Sequence, residues 1–151
     1  MKTTIKVGTL ITNQKGDILL IKEKYSADSS YKWNIIKGTY DNISETLEDC
    51  IVREIKEEVN IDIKDVVLRR VYGYGNEENK RILFIFIGKI DKDNVVFNFK
   101  NKMKDEYIIE AKWFTKKELL NLPPKDCMDN YVYKSFDLLN DQNTKVDFIN
   151  I

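Results

Sequence analysis

Residues 47–59, LEDCIVREIKEEV, repeat apolar side chains every three to four positions, and that periodicity demands a helix with one face buried against something else. Leu47, Ile51 and Ile55 fall at i, i+4 and i+8, and Val52 and Val59 widen the stripe. Thr46, with Asp49 three residues on, can form a weak capping box at the start. Asn60 suits the left-handed residue that ends a helix.

The same segment is crowded with acid: residues 48–62 hold six carboxylates. At about 100° per residue, Glu58 and Glu54 fall about 20° to either side of Leu47, bordering the apolar stripe. Glu57 joins Glu54 at i, i+3, and Arg53 can pair with Glu57 at i, i+4. For a generic Glu-rich helix, a solvated face is the ordinary explanation, because Glu is a good helix former. Here Glu54 and Glu58 form a like-charge i, i+4 pair costing roughly 0.2–0.5 kcal/mol, near a helix end whose dipole also disfavours anions. A hard divalent cation, Mg²⁺ or Mn²⁺, resolves the repulsion, since it takes oxygen ligands and is shared with substrate phosphates.

The rest of the composition narrows the chemistry. Twenty-five basic residues balance twenty-five acidic ones, so the overall charge recruits neither nucleic acid nor an anionic membrane. The chain has no histidine, which removes imidazole-based triads, imidazole-ligated zinc and imidazole acid–base catalysis. Cys50 and Cys127 stand far apart and form neither a disulfide framework nor a paired-thiolate zinc site, which points to a reducing compartment. The alternating N-terminus is not a signal-peptide core, and the longest apolar run, Ile82–Gly88, is shorter than a membrane span. A soluble, cytoplasmic protein of one domain, residues 1–151, is expected.

Along the chain, residues 3–12 and 18–24 read as a hairpin around NQKGD, and a short strand follows through Tyr31 to Ile36. KGTYDNISE reads as turn. Beyond the helix, residues 61–75 and 80–90 read as two long strands joined by a loop from Gly73 to Lys80, and VVFNF at 95–99 as a short one. YIIEAKWF is a further strand, TKKELLNL starts a short helix that Pro123 and Pro124 stop, and residues 126–140 read as a last helix. The mixture predicts an α+β fold, a mixed sheet with helices packed against it.

The run from Gly38 to Ile61, GTYDNISETLEDCIVREIKEEVNI, resembles the Nudix box: Gly, five residues, Glu, seven residues, then Arg-Glu-aliphatic-any-Glu-Glu-any-Gly-aliphatic. Glu45, Arg53, Glu54, Ile55, Glu57, Glu58 and Ile61 match with the family's mutual spacing. Gly38 lies one residue too far from Glu45, Lys37 stands where a Pro-Gly or Gly-Gly pair is usual, and Asn60 replaces the closing glycine. YKWNIIKG and the late DEYIIEAKWFTKKELLNLP extend the resemblance along most of the chain, whereas residues 121–151 carry no diagnostic motif.

The resemblance implies a Nudix-type mixed sheet sandwiched between helices. It implies Mg²⁺- or Mn²⁺-dependent hydrolysis of the pyrophosphate bond in a nucleoside diphosphate linked to another moiety, a small-molecule partner. By match to the motif, Glu57 and Glu58 would ligate metal, Glu54 would be a ligand or the base that orients water, and Arg53 would hold Glu57 or Glu58 in position. Glu45 would organise the loop, and the backbone carbonyl at Gly38 would add a ligand. Glu106 is the choice for a further carboxylate ligand, with Glu110 second. Tyr72, Tyr74 and Phe84 are candidates to stack on a base, with Phe86 on the same strand, while Trp33 and Trp113 are assigned to packing. The family's members are often homodimers. A nucleic-acid substrate is not expected, as no basic stripe is visible in the sequence. The competing readings are a nucleotide-sensing module without turnover and an interaction domain with a merely solvated acidic helix.

Overall fold

The computed structural model describes residues 1–91, 97, 107–128, 131–140 and 147–150. The expected amphipathic helix is α1, Leu47–Val59, with the bounds its periodicity predicts. Thr46 accepts from the Asp49 amide while the Asp49 side chain accepts from the Thr46 amide, closing the capping box. Asn60 ends the helix at φ 58°, ψ 35°, and its amide donates to the Lys56 carbonyl.

The strands are β1 (Lys2–Thr12), β2 (Ile18–Lys24), β3 (Lys32–Asn34), β4 (Ile36–Thr39), β5 (Val66–Gly75), β6 (Asn79–Lys89), β7 (Tyr107–Phe114) and β8 (Asp147–Asn150). Two short helices, α2 (Lys116–Leu120) and α3 (Tyr131–Asn140), complete the described elements together with a 3₁₀ turn at Pro124–Asp126. The strands join one mixed sheet in the order β3-β2-β1-β6-β5-β8, with β4 pairing on β1 and β7 on β2.

Several local expectations change. β1 and β2 are joined by the predicted turn but pair only at Thr12 and Ile18, so they do not form a regular hairpin. β1 instead runs parallel to β6 over its whole length and antiparallel to β4. The strand expected from Tyr31 to Ile36 breaks at Ile35, and Lys37–Thr39, read as turn, continues as β4 because it hydrogen-bonds along β1. Residues 61–65 are not strand, and the β5–β6 loop tightens around Gly75, whose φ of 111° suits glycine. The last helix begins at Tyr131, not 126, since Pro124 seeds a 3₁₀ turn first. β8 was not expected. The strand expected at 95–99 lies, apart from Phe97, outside the described residues.

Strand alternation sorts the core into two layers. Val7, Ile11, Leu19, Ile21, Ile36 and Phe86 pack under α1, meeting Ile51, Ile55 and Val59. Leu10, Ile18, Leu20, Trp33, Ile35, Leu83 and Ile85 face the other way, toward Leu119 of α2 and Leu138 of α3. Trp33 meets Phe114 edge-on at 4.8 Å between ring centroids, a packing role as expected.

The left-handed Asn60 gives a direct test. Asn60→Gly should raise stability by up to about 1 kcal/mol, and Asn60→Val should lower it by about 1–2 kcal/mol, since only the valine carries a branched Cβ into that conformation. Urea midpoints at unchanged m-value measure both.

Candidate active site

The site is organised by one guanidinium. Arg53 reaches from α1 back to the preceding loop, where Nε and Nη2 donate to the two carboxylate oxygens of Glu45 at 3.2 and 2.9 Å. Its Nη1 donates to Glu54 at 3.0 Å and to Glu57 at 3.3 Å. Such a planar fork suits bidentate carboxylate binding. The hydrogen bonds that Arg53 donates to Glu45, opposed by burial and reinforced by the charges of Glu54 and Glu57, raise the Arg53 pKa. The bond from Arg53 holds the Glu45 carboxyl below its ordinary range. The Tyr40 hydroxyl donates to the Glu45 carbonyl at 2.8 Å, so the loop is held at backbone and side chain alike.

Glu54 and Glu58 stack one turn apart on the inner side of α1, only 8% and 4% exposed, whereas the Glu57 side chain is 53% exposed. The helix is therefore not merely a solvated acidic face. Glu54 lies against β4 at Gly38, where an added Cβ would sit 2.1 Å from the Glu54 carboxyl carbon. Only glycine lets the carboxylate reach the backbone there. Arg53 pairs with Glu57, one of its two expected partners, and with Glu45 and Glu54 besides. Cys50, beside them, is buried with its thiol pushed up to about 12, by burial first and then by Glu45. It is an inert core residue.

The carboxylates of Glu54, Glu57 and Glu58 offer only oxygen donors, the chemistry that suits Mg²⁺ or Mn²⁺, and the missing side chain at Gly38 is what admits the Glu54 carboxylate against β4. Among the described residues no three acids are already placed to hold a metal ion together; Glu45, Glu54 and Glu57 gather on the Arg53 guanidinium instead. Glu106 lies outside the described residues. Glu110 is exposed on β7, paired with Lys22.

The aromatic candidates divide. Tyr72 and Tyr74 lie on the sheet face away from α1, Tyr72 buried to 3% exposure with its hydroxyl pKa raised by that burial. Phe84 and Phe86 point to the opposite face, into the α1 layer, so they do not share a cleft with the tyrosines. Alternation along β6 dictates this.

On the tyrosine side the structure gathers residues that local sequence reading passes over. The registers Lys6↔Thr39, Gly8↔Lys37 and Lys6↔Leu83 put Lys6 and Lys37 on that face, and Arg81 lies across from Tyr74 with its guanidinium 5.8 Å from the ring centroid. The Lys6 ammonium donates to the Thr39 hydroxyl. Burial, then Lys37 and Arg81, lower the Lys6 pKa, with Glu54 and Glu23 opposing. A lysine at an inward register of an apolar strand was the available signal.

A NUDIX domain family model matches residues 2–136, and the chain belongs to that family. It is 26% identical over 128 residues to mRNA-decapping enzyme subunit 2 of Saccharomyces cerevisiae (strain YJM789), covering 85% of this chain but 12% of the relative. It is 26% identical over 133 residues to Nudix hydrolase 5 of Arabidopsis thaliana, covering 86% of this chain and 42% of the relative. The chain thus spans well under half the length of either. Among solved structures, the MutT protein of Methanosarcina mazei Go1 superposes with a TM-score of 0.69 at 24% identity, over 93% of this chain and 96% of that one. The NUDIX domain of Shewanella oneidensis NrtR, complexed with ADP ribose, superposes at 0.70 with 12% identity, over 93% and 90%. These structures share the fold.

Two tests follow from the geometry. Gly38→Ala should cost about 1–3 kcal/mol, because the buried Glu54 has to leave its place beside Arg53; a urea titration measures it. Glu45 titrates near 4.5 when unfolded and lower when folded, so its contribution is complete above that value and is lost as the pH falls through the folded pKa. The stability gap between wild type and Glu45→Gln should therefore be full at pH 7 and shrink below about pH 4.5 in thermal melts.

Proposed function

We propose that this chain is a Nudix hydrolase that cleaves the pyrophosphate bond of a nucleoside diphosphate linked to another moiety, with Mg²⁺ or Mn²⁺. The observation that carries the reading is the burial of two carboxylates, Glu54 and Glu58, on one side of α1 with Glu54 against a glycine backbone. Burying two like charges is costly unless a cation compensates them.

Glu54, Glu57, Glu58 and the Gly38 carbonyl are the groups to hold the metal, with Glu106 as a further ligand. Of the three helix carboxylates Glu57 is the most exposed and has the most room to turn inward. The bound metal supplies neutralisation of the diphosphate and a lower pKa for the attacking water. Glu54 orients that water or accepts its proton, and Arg53 fixes the Glu54 rotamer through the 3.0 Å bond. Glu45 in turn anchors Arg53, a positioning role.

Among the described residues no helix is long and apolar enough to cross a membrane, and Cys50 and Cys127 are buried and not joined in a disulfide. These features suit a cytoplasmic enzyme acting on a diffusible nucleotide.

A second reading, a nucleotide-sensing module without turnover, draws on the absence of three converging acids among the described residues. A panel separates the two: nucleoside triphosphates, a nucleotide sugar, ADP-ribose, a dinucleoside polyphosphate and capped RNA, each incubated with Mg²⁺ or Mn²⁺ while phosphate and mononucleotide are followed. The proposal expects turnover of at least one, with Glu58→Gln lowering kcat/KM by about 100-fold or more while the variant still unfolds cooperatively. Thermal stabilisation by a ligand that is never cleaved would favour the sensor.

A further inference from the structure

Resting on the hydrolase reading, we propose that Lys6, Lys37 and Arg81 form a seat for phosphates beyond the pyrophosphate, selecting a nucleoside polyphosphate of three or more phosphates over diphosphates that end in a neutral sugar.

The three cations come from three neighbouring strands. β1 carries Lys6, β4 carries Lys37 opposite Gly8, and β6 carries Arg81 opposite Thr4. Gly8 keeps the surface between them low: a Cβ there would meet the Lys37 side chain at 3.3 Å and Ile35 and Ile85 at 3.1 Å. Their position relative to the carboxylates is specific. Lys37 immediately precedes Gly38, and Lys6 bonds to Thr39, immediately after it. Gly38 is also the residue against which Glu54 packs from the other side of β4. Among the described residues β4 pairs only with β1, so a polyphosphate passing its other edge beside Gly38 would have the acids, with their metal, on one side and the cations on the other.

The charge pattern supports an anion. Lys6 feels Lys37 and Arg81 as like charges while Glu54 and Glu23 attract it, so a metal that occupies Glu54 leaves the cationic side under-compensated. The Glu23 carboxylate accepts from Asn34 at 2.7 Å and is held within the sheet. Arg81, exposed and stacked by Tyr74, can fork onto a terminal phosphate. A neutral terminal sugar offers these groups nothing.

Calorimetry with a non-hydrolysable α,β-methylene nucleoside triphosphate and the matching methylene-bridged nucleotide sugar, in Mg²⁺, tests this without requiring turnover. Wild type should bind the triphosphate about 10-fold or more tightly, and Lys6→Met or Arg81→Gln should each remove most of that preference, while Lys6→Arg retains it. Should Lys6→Met fail to fold, the exposed Arg81→Gln gives the same reading. Equal binding of both ligands by wild type, or an undiminished preference in the variants, would overturn the seat. Cleavage assays on the same proteins keep the two claims apart. Turnover with unaltered preference in the variants sinks this inference alone, and charge-dependent binding without turnover sinks the hydrolase reading alone.

Discussion

The Arg53 fork is the contact on which the site depends. A helix with Glu54, Glu57 and Glu58 on adjoining turns repels itself, and the one cation of that surface lies between two of them while also gripping Glu45 in the loop. The arrangement does two things together. It ties the start of α1 to the β4–α1 loop, and it sets the rotamer of a buried carboxylate at the point where β4 lacks a side chain. Loop, helix and strand are thereby placed by one set of charge-assisted bonds.

The fold supplies the frame for this. β4 lies on β1 as a short flanking strand, with α1 covering one face and the Lys6, Lys37 and tyrosine face on the other. A ligand can therefore reach both the acidic and the basic side by passing the edge of β4 that faces away from β1, and Gly38 is the residue that lets the Glu54 carboxylate come up against that strand. The loop irregularity before Glu45 does not disrupt this, since Asn42 and Tyr40 tie the extra length down: Asn42 accepts from the Ser44 and Glu45 amides, and Tyr40 from its hydroxyl reaches the Glu45 carbonyl.

Legibility in the sequence followed the range of the interactions. α1 was readable to the residue, because its stripe, its capping box and its left-handed terminus are all set within a few positions of chain. β7 was readable for the same reason. The partner of β1 was not: nothing local distinguishes a parallel strand seventy-odd positions away from a hairpin neighbour, and the NQKGD turn argued for the wrong pairing. β8 had no local signal that stood out. Among site residues, Arg53 pairs with Glu57 as their i, i+4 spacing implied, whereas its bonds to Glu45 and Glu54 and the contact of Glu54 with Gly38 depend on how the loop and β4 fold back on α1. Phe84 does not accompany Tyr72 and Tyr74, because alternation along β6 turns it into the α1 layer. Lys6, Lys37 and Arg81 share the tyrosine face only through pairings between distant strands, which no local pattern encodes.

The central claim is that Glu54 and Glu58 are buried in order to share a divalent cation. A crystal soaked in Mn²⁺ and measured at the manganese absorption edge tests it most directly. The account predicts an anomalous peak within direct ligand distance of both carboxylates and close to the Gly38 carbonyl. A well-diffracting soaked crystal with no peak between Glu54 and Glu58, or with manganese held only at exposed acids elsewhere, would contradict it.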